Sequence, residues 1–417
     1  MPDSPRPGEK IRVGVVGGSI AGCAASIELI RDGHDVTVYE RSTGDLRGRG
    51  AGIVTTLSAI KALVERDLVD RDMPRLQVDS ISHIGRSAHE PKGRVAGVIP
   101  VKMEILNWGD LFHNLRRRVP DARYRRGFEV TTARNTAANR VALGFADGTD
   151  AAYDLAIFAD GYHSLGRRAI YPGADVRYRG YVLWRGILEE AHLDDTEPLE
   201  GTYCRIALPT GHCVFYFTPG GDGSLGKGNR WISWAMYVPL AEQALPQFLV
   251  DKNGVRQPGS LPPGTMRLEE EDRLKHLARE SLPPYYGEII SRSERTFAQP
   301  IYTVQVPAYY RRRICLVGDA GSFSQPFTAS GVFKGINNVI ALATSLKTSS
   351  EVDDALAAWN KEEILTATRI YLLGQQLEEA LIWSIPDFAQ MNQEDIQDWW
   401  NKAAKMPEDM FPGREQE

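Results

Sequence analysis

Three short motifs carry residues whose types and spacing could do chemistry. Val16-Gly17-Gly18-Ser19-Ile20-Ala21-Gly22 lies between an apolar, β-branched run at 11–16 and an Ala-rich stretch at 21–31. Strand, glycine turn and helix form the setting in which such a motif binds a dinucleotide. Gly17 permits the tight turn and Gly22 a close helix–strand approach. The helix N-terminus turns free N–H groups and a positive dipole end toward a pyrophosphate. Ser19 stands where a middle glycine is usual, and its small hydroxyl can meet a phosphate oxygen. Glu40 follows Gly22 by 18 residues and closes the next strand, 35–39. That placement suits an adenosine ribose hydroxyl. An isolated glycine turn is as often structural; the βαβ setting with Glu40 favours dinucleotide binding.

Downstream, Arg41, Arg47 and Arg49 are interleaved with Gly50 and Gly52. They suit contacts to cofactor phosphates, and equally a solvated basic loop. The second motif, Asp160-Gly161-Tyr162-His163-Ser164-Leu165-Gly166-Arg167, follows a buried run at 153–159. Its acid can bind a ligand hydroxyl or cap a helix. The third is Gly318-Asp319-Ala320, then Pro326-Phe327-Thr328-Ala329-Ser330-Gly331-Val332. A small-residue loop opening a helix exposes backbone N–H groups to an electron-rich oxygen or ring edge, although Asp319 also reads as an N-cap.

The elements that must position these motifs are legible in outline. Helical periodicity marks 56–70, 110–118 and a long stretch from 331 to 379. A hairpin at 127–158 carries the turn Asp147-Gly148. From about 176, aromatic and β-branched runs alternate with turns, including the Gly/Pro-rich loop 252–264, as an antiparallel sheet requires. A buried strand returns at 313–317. The pattern predicts a discontinuous α/β nucleotide-binding domain over 1–75, 100–175 and 290–345. A β-rich substrate domain over 76–99 and 176–289 interrupts it, and a helical C-terminal region covers 346–417.

Composition narrows the function. Forty-nine Lys+Arg against 54 Asp+Glu give a net charge of −5 over 417 residues. This argues against nucleic acid, which calls for a basic footprint. No apolar run approaches the roughly 18 residues of a membrane span. Four scattered cysteines show no metal spacing, so no metal is expected, and a reducing, cytoplasmic setting is the simplest expectation. Trp383, Trp399 and Trp400 in the tail suit a homodimer contact or a core-covering helix equally.

The order and spacing of the three motifs resemble those of the single-component (group A) FAD-dependent aromatic hydroxylases, over about residues 11–345. That family has the para-hydroxybenzoate hydroxylase fold. Details at Gly17–Gly22, Leu183-Trp184-Arg185-Gly186, Pro326–Val332 with Lys334, Leu282-Pro283-Pro284 and Gln299-Pro300-Ile301 look nearest its 2,6-dihydroxypyridine 3-hydroxylase branch. The resemblance implies a Rossmann-like, GR2-type FAD-binding domain with an interleaved antiparallel substrate sheet. It also implies FAD, NAD(P)H as a transient co-substrate, O₂, and a hydroxylated aromatic or pyridine-type ring oxidised through a C4a-hydroperoxyflavin. By that likeness Gly17, Ser19, Ile20, Ala21 and Gly22 line the pyrophosphate, and Glu40 holds the ribose. Arg41, Arg49 and Gly52 belong to the cofactor loop. Asp160 supports the nucleotide fold and NAD(P)H, Asp319 meets the ribityl chain, and Ser330, Gly331 and Val332 face the isoalloxazine. Pro326 sits where substrate meets flavin. Two departures stand out: Gly321-Ser322 where the family has Ala-His, and Trp108 where it opens a helix with Arg.

No catalytic base is identified. Arg185, Tyr216 and Trp234 are substrate-pocket candidates on the sheet, although aromatic strand residues as often pack in a core. His212 in its turn is expected to be exposed, and His83 faces either way. The competing readings are a flavin-dependent halogenase or oxidase, prompted by Trp231-Ile232-Ser233-Trp234, and a non-catalytic flavin-binding protein.

Overall fold

The structure is a computed structural model that describes residues 10–44 and 52–404. The buried run Arg12–Val16 forms the centre of a six-stranded sheet, flanked by Leu155–Phe158 and Asp35–Glu40 in parallel register. Ile314–Leu316 and Tyr310–Arg311 extend one edge and Tyr124–Arg126 the other. Three helices cover it: Ile20–Arg31, Trp108–Arg116 and Gly331–Thr348. The first and third cross at Ala21, Gly318 and Gly335, where a Cβ on Gly335 would lie 3.3 Å from the Ala21 Cβ. Small residues at that crossing bring two helix N-termini to one end of the sheet. The hairpin expected at 127–158 is a separate three-stranded sheet, Val130–Asn135, Val141–Phe145 and Asp150–Tyr153.

The second sheet has eight strands. Its order is Glu294–Thr303, Arg177–Glu189, Trp231–Pro239, His212–Thr218, Thr202–Ala207, Leu76–Gly85, Arg94–Asn107 and Gly52–Thr56. All neighbours are antiparallel except Thr202–Ala207 with Leu76–Gly85. Three pieces that the sequence boundaries assign to the nucleotide domain belong here instead. Gly52–Thr56 and the end of Arg94–Asn107 pair with one another, and Glu294–Thr303 pairs along Arg177–Glu189. Pairing partners far away in the chain decide this, and local composition does not record them. One face of the sheet packs on the helices Leu268–Ser281 and Pro284–Arg292. The other looks toward the nucleotide domain.

The long helical stretch is two helices. Gly331–Thr348 turns at Ser349-Ser350-Glu351 into Val352–Glu378, which folds back so that Val352, Leu356 and Trp359 bury on the nucleotide domain. Beyond it, Phe388, Ile396, Trp399 and Trp400 pack on Ile81, Ala96 and Ile99 of the second sheet. Trp399 and Trp400 therefore cover core within the chain. All four cysteines are buried and unpaired. Among the described residues, no helix is long and apolar enough to cross a membrane, and no group of three or more His, Cys, Asp or Glu could hold a metal ion.

Candidate active site

A cleft of about 830 Å³ opens at the C-terminal ends of the parallel strands, within the ordinary range for cofactor sites. It is lined by Gly17, Ser19, Ile20, Ala21, Glu40, Arg41, Asp160, Asp319, Gly331 and Val332, so the three motifs converge on one cavity. Gly17 has φ +97°, and a Cβ there would lie 2.4 Å from the Ala159 carbonyl. A Cβ on Gly22 would lie 1.8 Å from the Gly17 carbonyl. Ser19 is the N-cap of the first helix but makes no side-chain cap bond, so the helix N-terminus is left open to the cleft.

Glu40 is buried, accepting from Gly18 N at 2.9 Å and from Ser42 N at 2.8 Å. Asp160 caps the helix Leu165–Ile170 through Oδ2, 2.7 Å from Leu165 N, while its Oδ1 is buried with no partner. Burial raises the Asp160 pKa above the usual carboxyl value. One Asp160 oxygen thus caps a helix, and the other is a buried orphan beside the cleft. Asp319 is open to the cleft with Lys334 Nζ 3.9 Å away. Gly331 opens its helix with free space around it, after Ala329 in a left-handed turn at φ +51°.

These features fit FAD. Two open helix N-termini, an orphan carboxylate oxygen and a glycine cradle with no room for a Cβ are what a pyrophosphate, ribityl hydroxyls and a ring edge require. Trp108, in place of the family's arginine, opens its helix on the cleft and stacks on Phe112 with centroids 5.4 Å apart. In the position of the family's histidine, Ser322 is buried and accepts from Val306 N at 3.2 Å. The loop at 252–264 reaches the second motif: a Cβ on Gly259 would lie 2.0 Å from the Tyr162 hydroxyl. Arg47, Arg49 and Gly50 lie outside the described residues.

The sheet face turned toward the nucleotide domain carries further candidates and forms a second wall. Arg185 donates to the Gly52 carbonyl at 3.0 Å and to the Tyr216 hydroxyl at 3.2 Å. Tyr216 stacks on Tyr203, and Phe327 lies against Tyr181, Tyr237 and His212. Val54, Val101, Met103, Tyr203 and Phe327 remain only half-buried on this wall. Pro326 is exposed at the start of the Pro326–Thr328 turn, beside Phe327, and does not line the first cleft.

Trp234 is not part of this wall. In the strand Trp231–Pro239 alternate residues point to opposite faces. Ile232, Trp234 and Met236 lie in the core on the far side, and Trp234 Nε1 donates to Ser293 Oγ at 2.8 Å. Trp234→Phe should lower the unfolding free energy by about 1–2 kcal/mol, a lost buried hydrogen bond and a small void. Thermal melts should show that loss with no change in substrate KM. The halogenase-like run loses its functional meaning with this placement.

His212 is buried, contrary to expectation. Its Nδ1 lies 3.0 Å from the Leu381 carbonyl and its ring stacks on Tyr237. Burial, reinforced by the Arg205 cation, lowers its pKa to about 3. His83 is buried between Phe388 and Trp399, with Nε2 3.2 Å from Arg205 Nη1. Burial and then Arg205 lower its pKa to about 2. Both are neutral in the folded chain, whereas the unfolded chain takes up protons as pH falls below about 6.5. Stability from these two is complete above that pH and is lost as pH falls toward 3. Melting temperature should drop between about pH 7 and pH 5, and His212→Phe should flatten that slope.

Sequence reading missed Tyr203, Arg205, Tyr237 and Phe327. Arg205 is buried, with Trp400 4.5 Å from its guanidinium. Among the described residues neither Arg185 nor Arg205 has a carboxylate within ion-pair distance, and each has a buried Nε without a partner. The usable signal was the strand period: Tyr203 and Arg205 share a face, as do Ala235 and Tyr237, opposite the bulky Trp234 and Met236.

Fold and cleft define a flavoprotein of the para-hydroxybenzoate hydroxylase fold. A family model described as FAD binding domain-like matches residues 178–303. The chain is similar to FAD-dependent monooxygenases. It is 26% identical over 356 residues to 2,6-dihydroxypyridine 3-monooxygenase of Paenarthrobacter nicotinovorans, covering 85% of this chain and 87% of that one. It is 23% identical over 385 residues to salicylate hydroxylase of Pseudomonas putida, covering 86% and 81%. The solved 2,6-dihydroxypyridine-3-hydroxylase from Arthrobacter nicotinovorans superposes with a TM-score of 0.84 at 22% identity, covering 98% of this chain and 99% of that one.

Proposed function

We propose that this chain hydroxylates an electron-rich ring that carries acidic hydroxyl groups, a phenol or a pyridine-type heterocycle, at the expense of NAD(P)H and O₂. The observation that carries the reading is the sheet face of the second wall: aromatic, half-open at Tyr203 and Phe327, with Arg185, a cation that has no carboxylate partner among the described residues. A neutral hydrocarbon gives such a cation no partner, whereas a ring hydroxyl that ionises does.

Bound FAD, reduced by NAD(P)H, supplies the oxygen-activating chemistry. The chain's own residues do the rest. The N-termini at Ile20 and Gly331 and the carboxylates Glu40, Asp160 and Asp319 hold the cofactor's phosphates, hydroxyls and ring edge. Arg41 and Arg168 line the mouth of the same cleft and give it a cationic edge for an anionic nucleotide. Arg185 fixes a substrate oxygen and favours its ionised form. Because Arg185 donates to the Tyr216 oxygen, the Tyr216 proton is left with only the Gly52 carbonyl at 3.4 Å. It is therefore free to turn toward the ionised substrate oxygen and stabilise its charge as a hydrogen-bond donor. His83 and His212, neutral and weakly basic, are poor acceptors for the proton that the substrate hydroxyl sheds. Tyr203, Tyr237 and Phe327 shield the ring from water, which would otherwise divert reduced flavin to hydrogen peroxide.

The reading predicts a yellow protein in which hydroxypyridines or phenols accelerate NAD(P)H oxidation. The product should be heavier by one oxygen atom drawn from labelled O₂. A screen of both compound classes in which no ring raises NAD(P)H consumption above the unstimulated rate sinks it.

A further inference from the structure

The sequence treats the chain beyond 345 as a tail. The structure makes Val352–Glu378, the longest helix among the described residues, a spacer that contacts both domains in turn. Near its start, Asn360 Oδ1 accepts from Tyr309 N at 2.6 Å and Trp359 Nε1 donates to the Asn338 carbonyl at 3.0 Å. One turn on, Glu363 accepts from Asn338 Nδ2, and Asn338 Oδ1 accepts from Gly318 N at 3.0 Å. The Gly318-Asp319 corner is thus anchored to the helix. Farther along, Gly374 meets the flavin strip: a Cβ there would lie 2.0 Å from Ser324 Oγ and 2.2 Å from Gln325 Oε1.

Glu378, the last residue of the helix, is 3% exposed and gathers donors from both domains. From the flavin strip, Gln325 Nε2 donates at 2.6 Å. From the substrate sheet, Arg179 donates through Nη2 at 2.5 Å and Nε at 3.0 Å, and the Tyr181 hydroxyl at 3.2 Å. Tyr181 in turn stacks on Phe327, with centroids 6.1 Å apart and planes inclined by 17°. The helix ends immediately afterward in a π-helical turn, Glu379–Trp383, whose Leu381 and Ile382 carbonyls take His212 Nδ1 and Gly211 N from the sheet.

We propose that Glu378 is a positioning residue that sets the distance between the flavin-facing strip 325–332 and the substrate wall, acting through Gln325. A buried carboxylate needs its donors filled. Here they come from the two surfaces that must face one another across the reacting atoms, and Gln325 directly precedes the Pro326–Thr328 turn. The inference rests on the assignment of that strip to the flavin ring.

The test is FAD titration of the apoprotein of Glu378→Gln, Gln325→Met and the double variant, followed by flavin fluorescence quenching and visible circular dichroism. Glu378→Gln keeps the shape but sets an amide N–H₂ among donors. Gln325→Met cuts the same link and leaves the Arg179–Glu378 ion pair intact, so one variant survives if loss of the pair unfolds the other. Each single variant should weaken FAD binding about tenfold, the scale of one hydrogen bond to a charged group, and alter the bound-flavin spectrum. The double variant should be no weaker than the worse single one, because both break one connection. Peroxide released per NAD(P)H should rise alongside. Wild-type affinity and spectrum in both single variants, or effects that multiply in the double, overturn the proposal while leaving the proposed function standing. A wild-type apoprotein that takes up no FAD removes the assignment beneath it instead.

Discussion

Gly22→Ala should yield a colourless protein. A Cβ at this position would lie 1.8 Å from the Gly17 carbonyl, about half an ordinary contact distance, so something must move. Gly17 cannot yield easily. Its N–H donates to the Tyr39 carbonyl at 2.9 Å, its φ of +97° suits glycine alone, and a Cβ on it would lie 2.4 Å from the Ala159 carbonyl, so the turn is already packed tight. The helix must therefore retreat from the turn, carrying the N–H groups of Ile20 and Ala21 away from the pyrophosphate. Charge-assisted bonds to a phosphate lose their strength steeply with distance. FAD affinity should fall at least about a hundredfold, roughly 2.7 kcal/mol. The 450 nm to 280 nm absorbance ratio of purified protein and a flavin titration measure it. Normal flavin content in this variant would contradict the placement of the pyrophosphate at the first helix.

Arg185→Met should spare the flavin and damage the reaction. The side chain keeps most of its apolar bulk, but the guanidinium that bridges the Gly52 carbonyl and the Tyr216 hydroxyl is gone. If that cation holds the ionised substrate oxygen, truncating one partner of a desolvated charge pair costs about 2–5 kcal/mol. The value of kcat/KM for the ring substrate should then drop about a hundredfold or more. The optimum should move to higher pH, since the substrate hydroxyl loses the charge that favours its ionisation. FAD affinity and the unstimulated rate of NAD(P)H oxidation should stay near wild type. Unaltered substrate kinetics would remove Arg185 from the pocket and leave it as a brace for Gly52.

Much of the nucleotide domain is legible in the sequence because its information is local. The turn at Gly17, the helix start at Ile20, the strand end at Glu40 and the Gly318-Asp319 corner each depend on neighbours within a few residues, and the structure brings all of them to one cleft. The substrate wall is legible only in part. Arg185 and Tyr216 lie on the side proposed as that wall, whereas the strand period turns Trp234 to the opposite face whatever its chemistry. The domain boundaries fail for a related reason: Gly52–Thr56 and Glu294–Thr303 join the second sheet through partners about 47 to 126 residues away, and no local pattern carries that distance. His212 looked exposed because it adjoins a turn, yet the π-helical turn from the chain's far end closes over it. Glu378 has no motif at all. Its role exists only once three separate segments have met.

The alternation along Trp231–Pro239 also bears on how such a protein can change. Ile232, Trp234 and Met236 hold the sheet to its backing helices, while Ser233, Ala235 and Tyr237 look the other way. The neighbouring strands repeat the division, with Phe215 and Phe217 behind and Val214 and Tyr216 in front. Odd and even positions thus answer to different selective pressures. A lineage can exchange the forward-facing set and acquire a new diet without touching the residues that keep the sheet folded. Random libraries confined to Leu183, Val214, Ala235 and Tyr237 therefore sample catalysts, where libraries at Trp184, Phe215 and Trp234 sample wreckage.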